Sequence, residues 1–145
     1  MYEILESGFE NAVRIKLGVD IDDLPDEDIN NKFVAELAES KIKKRVPNFM
    51  EITDPEEKMY LQNAVIAQIC AILCPSMARR LNLKVAISDV RIEKERVDWE
   101  ELRQKFLTEV EESLYQIKSI SINANLLTND KFVDKIRNER QPIGY

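Results

Sequence analysis

Histidine is absent from this 145-residue chain. That excludes Ser-His and Cys-His nucleophile pairs, histidine general bases and histidine-containing zinc sites. Glycine is scarce: Gly8, Gly18 and Gly144 are the only three, too scattered for a loop that cradles phosphate. Cysteine is limited to Cys70 and Cys74, one helical turn apart. No further Cys or His could complete a metal site with them, so they read as two buried thiols rather than a redox pair. The N-terminal MYEILESGFE has neither a basic start nor an apolar run after it, so no secretory leader is expected. Few cysteines and no leader suit a reducing cytoplasm, including that of a host in which a virion is assembled. Basic residues are outnumbered 21 to 27, a net charge of −6 that does not draw the whole molecule to nucleic acid or an anionic membrane. An enzyme would have to use Asp, Glu, Lys or Tyr alone, and no constellation of these stands out. No catalytic, metal or cofactor residue is assigned.

What the chain does have is one concentrated apolar stretch, NAVIAQICAILC at residues 63–74, interrupted only by Gln68. A helix apolar on every side must be packed all round, by its own fold or by neighbouring subunits. At about a dozen residues the stretch is short of the roughly 20 that span a bilayer. Five prolines and three glycines favour helices over a turn-rich β fold. The expected fold is therefore mainly α, a bundle of about four helices around this central one, with residues 1–121 as the domain and 122–145 as a C-terminal arm.

The first helix is expected over residues 3–17, ended by Gly18 as a left-handed cap with Val19 folding back. Residues 20–28, DIDDLPDED, are acidic. A calcium loop would need glycine where Pro25 stands, so the better reading is a loop whose Asp26 caps the next helix. That helix is expected over residues 27–45 with Ile29, Phe33, Leu37 and Ile42 as its apolar stripe. Lys41, Lys43, Lys44 and Arg45 fit its dipole, and Pro47 ends it. Asp54 and Pro55 open the central helix, which Pro75 is expected to kink or break.

Residues 84–96 change period: Val85 and Ile87, then Val90 and Ile92, alternate as in a short hairpin or strand that needs a partner and is a candidate subunit interface. The last long helix opens on Asp98 and Glu101 at capping-box spacing, with Val97 and Leu102 placed as a staple. Its stripe is Trp99, Leu102, Phe106, Val110, Leu114 and Ile117. Trp99 is either core or an interface anchor. Beyond residue 121 the pattern fades into an arm with Phe132, Val133, Ile136, Arg137, Arg140, Ile143 and Tyr145. An apolar and basic arm without a core pattern is a frayed end or a docking segment.

The order of elements resembles the head–tail connector (adaptor) proteins of tailed bacteriophages. It comprises a first helix ending in Leu17-Gly18-Val19, an Asp-rich loop and a helix with Ala35, Leu37, Ala38 and Ile42. A long apolar central helix, a short strand with Val90 and Ile92 and a final amphipathic helix follow. The resemblance covers about residues 3–120. It implies a structural virion protein that forms a ring, commonly of twelve subunits, beneath the portal. Such a ring extends the DNA channel without binding DNA specifically and carries a tail-completion or stopper protein. The C-terminal arm would grip the portal. Family members often have a glycine in the strand segment, and residues 84–96 contain none. A different class of function is a cytoplasmic helical regulator that binds a protein or nucleic acid, with residues 41–45, Arg79 and Arg80 as its contact patch.

Overall fold

A computed structural model describes residues 2–88 and 97–123. Within them the chain is helical, and the apolar stretch lies at the centre. α1 is Phe9–Leu17, α2 is the single turn Asp26–Ile29, and α3 is Leu37–Arg45. α4 is Pro55–Ser88 and α5 is Trp99–Tyr115. No strand occurs among the described residues.

The start of α4 follows from three residues. The Asp54 carboxylate accepts the Glu56 N–H at 3.0 Å, and Pro55 occupies the first helical position, where its missing N–H costs nothing. Glu56 and Glu57 then face the positive end of the helix dipole. From there 34 residues continue without a break, about 50 Å at 1.5 Å per residue. Pro75 is inside the helix and does not divide it. Its ring is exposed, and the next side chain, Ser76, donates its hydroxyl to the Leu73 carbonyl at 3.0 Å.

Ala64, Val65, Ala67, Ile69, Cys70 and Met77 have no exposed surface, and Leu61, Ile66, Ala71, Leu73 and Cys74 are buried beside them. The hub is thus covered by its own chain. By length and composition Pro55–Leu81 could also cross a bilayer, yet 67% of its apolar window is buried inside this fold.

α5 supplies the largest cover, and it runs antiparallel to α4. Glu57, near the start of α4, bonds to residues just past the end of α5, Asn63 reaches Glu109 and Ser113, and Cys74 lies near Arg103 and Glu100. The Asp98 carboxylate caps α5 by accepting the Glu101 N–H at 3.0 Å. Phe106, Val110, Leu114 and Ile117 are buried, and Trp99 and Leu102 pack half-buried against the core. Trp99 is therefore part of the core margin. Val97, expected to staple the helix start, is instead exposed.

α1 and α3 lie against the remaining sides of α4. α1 ends as its sequence suggests: Gly18 has φ +72, and the N–H groups of Gly18 and Val19 return to the carbonyls of Ile15 and Arg14 at 3.2 and 3.1 Å. It begins later than expected. Gly8 takes φ +90 immediately before Phe9, and residues 2–7 form a non-helical segment of bends and a turn.

Residues 27–45 are not one helix. Asn30 ends α2, its side-chain amide bonding the Asp26 carbonyl at 3.0 Å. Asn31 is extended and its carboxamide oxygen accepts the Phe33 N–H at 2.9 Å. Such side chains offer the backbone a partner other than the helix ladder. A π-helical turn, Lys32–Glu36, then leads into α3. The wider turn changes the phase. Ala35, Ala38 and Ile42 face the core, while Phe33 and Leu37 of the expected stripe are exposed. Asp26 does not cap α2 either: Pro25 occupies the cap position, and the Asp26 carboxylate goes to Arg14.

The strand expected over residues 84–96 also needs correction. Through Ser88 the backbone is α4, so Val85 and Ile87 lie on its last turns. Extending an existing helix adds one hydrogen bond for each residue ordered, whereas a lone two-stranded ribbon is marginal. Val90 and Ile92 are outside the described residues.

Candidate functional site

The described ionisable groups converge on chain segments. Arg14 is the clearest case, with its side chain 8% exposed. Its Nε donates to the Leu24 carbonyl at 2.8 Å and its Nη1 to Asn11 at 3.0 Å. The remaining nitrogen pairs with Asp26. The acidic loop is thus bound to α1 by one guanidinium, and Asp20 accepts the N–H groups of Asp22 and Asp23 within it. Arg80 reaches the same region from α4, with Asp28 at 2.7 Å.

Two buried glutamates hold the non-helical segments at either end of the described chain. On α3, Glu39 accepts three consecutive N–H groups, from Glu3 at 2.7 Å and from Ile4 and Leu5 at 3.1 Å each. Lys43 stands 3.3 Å away. Burial alone would raise the Glu39 pKa, but these N–H donors and Lys43 outweigh it and hold the carboxyl below its ordinary 4.5. On α4, Glu57 accepts the Ser119 hydroxyl and the N–H groups of Lys118 and Ser119, the latter two at 2.9 and 3.2 Å. The Ser119 hydroxyl contributes most to lowering the Glu57 pKa.

The chain after α5 remains attached as far as Asn123. Ile120 and Ile122 pack on the core. The Asn123 N–H donates to the Arg45 carbonyl at 2.7 Å and its side chain to the Lys44 carbonyl at 3.0 Å. These bonds satisfy two carbonyls at the end of α3 that have no partner within that helix.

A second polar knot crosses α1, α4 and α5. Glu109 accepts from Lys16 at 2.5 Å and from Asn63 at 3.1 Å, while Asn63 also donates to Ser113 at 2.8 Å. Among the described residues no buried side-chain nitrogen or oxygen lacks a partner, and no group of three or more His, Cys, Asp or Glu is placed to hold a metal. Cys70 and Cys74 are free thiols inside the core. Burial pushes both up, Cys74 to about 11 and Cys70 further, which leaves neither a thiolate near neutral pH.

Three of the six basic residues in the patch proposed from the sequence are engaged internally. Arg45 makes a two-pronged pair with Glu111, with Nη2 at 2.8 Å, Lys43 meets Glu3 and Glu39, and Arg80 meets Asp28. Lys44 and Arg79 remain exposed. The exposed apolar side chains are spread over several elements: Ile15 on α1, Ile21 in the acidic loop, Phe33 and Leu37 at the π turn, Met50 and Met59 near the start of α4, and Tyr115 at the end of α5.

The arm residues Phe132, Val133, Ile136, Arg137, Arg140, Ile143 and Tyr145 lie outside the described residues. The sequence reading missed Arg14, Glu39 and Glu57 as anchors. A signal was available for Glu39: after the π turn it shares the core face with Ala35, Ala38 and Ile42, and a carboxylate there needs donors. Compared with protein-family models, curated proteins and solved structures, the chain matches none of them.

Proposed function

We propose that this protein is a structural connector of the head–tail adaptor type of tailed bacteriophages, a virion component assembled in host cytoplasm. In this reading the chain is the protomer of a ring beneath the portal, twelve-fold if it follows the family's common form. It extends the DNA channel and joins the capsid to a tail-completion or stopper protein, without catalysis or a cofactor. The resemblance in element order is the starting point. The supporting observation in the fold is the use of its polar groups: Arg14, Glu39, Glu57 and Arg45 all bind chain segments or neighbouring helices. This is the chemistry of a rigid building block with a preformed core.

A net charge of −6 suits a wall past which DNA slides without sticking. The regulatory alternative would draw its nucleic-acid affinity from residues 41–45, Arg79 and Arg80, of which Lys43, Arg45 and Arg80 already have acidic partners while Lys44 and Arg79 are exposed. The C-terminal arm, with its apolar and basic residues, remains the proposed grip on the portal.

Electron microscopy of the purified protein mixed with the portal of its own phage tests the proposal. Added ring density on the portal is the expected result. No association at micromolar concentration with the arm intact would overturn it. Retention on duplex DNA that falls steeply with salt would instead favour the regulatory alternative.

A further inference from the structure

Leu5, Phe9, Val13 and Leu17 stand four apart, the spacing of one helix face. In the structure this run is folded in two at Gly8, where φ is +90 and the Phe9 N–H turns back to the Glu6 carbonyl at 3.3 Å. Before the turn lies an arm; after it lie the groups that receive the arm. Glu39 takes the three arm N–H groups, and Asn30 takes the Tyr2 hydroxyl at 2.9 Å. The Phe9 ring meets the Tyr2 ring edge-on with centroids 5.3 Å apart, and Lys43 pairs with Glu3 at 3.2 Å. Ile4 and Leu5 enter the core.

A second copy presents the same main-chain N–H groups and the same apolar side chains. If Gly8 straightened into the helix that the spacing favours, the arm would leave its own receptor. Two apolar surfaces would then be exposed, each complementary to its counterpart on another copy. We infer that residues 2–7 are an exchangeable arm, and that the occupant of an opened receptor is the same arm of a second copy. This deepens the proposed ring by supplying a contact between subunits, and rests on that reading only for its biological purpose. Exchange of an identical element is a low-cost route to association. Tethering favours the closed form in dilute solution, because the arm's effective concentration at its own receptor is on the order of millimolar.

Gly8 is the control point. A Cβ there would meet nothing within 4 Å, so a substitution acts through the backbone alone. Gly8→Val is expected to shift the balance from closed to open roughly tenfold, because a side chain disfavours positive φ. Sedimentation velocity of the full chain, from micromolar to submillimolar concentration, should show concentration-dependent association for Gly8→Val beyond that of the wild type. Adding Glu39→Gln to the same chain should reverse it. If the valine variant does not fold, Gly8→Ala should act in the same direction to a smaller extent. As a second measurement, a Glu39→Gln chain with its arm intact should pair with a chain lacking residues 2–7, while neither pairs with itself. Gly8 variants that stay monomeric throughout, or association that survives Glu39→Gln, would overturn the inference. Because only self-association is read, a failure to bind the portal would leave this result standing.

Discussion

α4 and the stretch Asp26–Arg45 contain similar apolar residues but are positioned by different forces. The hub of α4, residues 63–74, is held by burial from nearly all sides, a non-directional force roughly proportional to apolar area. Its helix runs through Pro75 without division. In Asp26–Arg45 two asparagines outweigh a helical pattern, and a π turn decides which side chains face inward. The register there is kept by directional contacts, with Glu39 and Lys43 on the N-terminal arm and Arg80 on Asp28. Burial makes a core tolerant of how it is reached, whereas hydrogen bonds make the outer layer specific in where it sits.

Four substitutions would break or sharpen that contrast. Ile69→Ala removes a fully buried side chain at the centre of α4 and should cost about 3–4 kcal/mol in urea unfolding. A loss under 1 kcal/mol would mean that the hub collapses to fill the space. Glu39→Gln should cost about 2–3 kcal/mol, since charge-assisted bonds to three N–H groups are weakened in a buried place. It should also change the acid response. The folded Glu39 carboxyl titrates below its ordinary 4.5, so the unfolded chain binds the proton first as pH falls. Wild-type stability from this group is complete above that value and is lost as pH drops through the folded pKa. Glu57, depressed in the same direction, adds to the same acid loss. Thermal unfolding between neutral pH and pH 3 should therefore show a shallower decline for Glu39→Gln than for the wild type.

Gly18→Ala comes next, at about 1–2 kcal/mol, because φ is +72 and no neighbour crowds the site. A calorimetric shift much larger than this would reveal a packing role that the open surroundings do not suggest. Smallest is Phe33→Ser, where a 72% exposed ring is removed. Stability should change by no more than about 0.5 kcal/mol in denaturant titration. A larger loss would place Phe33 in the core, as the unbroken-helix pattern expects.

Some elements were legible because their cause is local or very strong. Asp54-Pro55 and Asp98 act within one turn of themselves, Gly18 needs only its own backbone freedom, and ten apolar residues interrupted only by Gln68 leave burial as the outcome for the hub of α4. The folded-back arm, the split at Asn30–Asn31 and the helical state of residues 84–88 were not legible in the same way. The arm is decided by contacts distant in sequence, chiefly Glu39. The split is made by asparagine side chains that compete locally with the helix ladder, and residues 84–88 follow from propagation of α4.

The candidate anchors differ in the same manner. A glutamate at position 39 is an ordinary helix residue until residues 3–5 arrive with three N–H groups, and Arg14 is a surface base until Leu24 and Asp26 close over it. Sequence alone determined that this chain would be helical around a buried central rod, because apolar surface has nowhere else to go. Only the tertiary structure decided which polar groups became its fastenings, because a hydrogen bond requires its partner to be present and correctly placed.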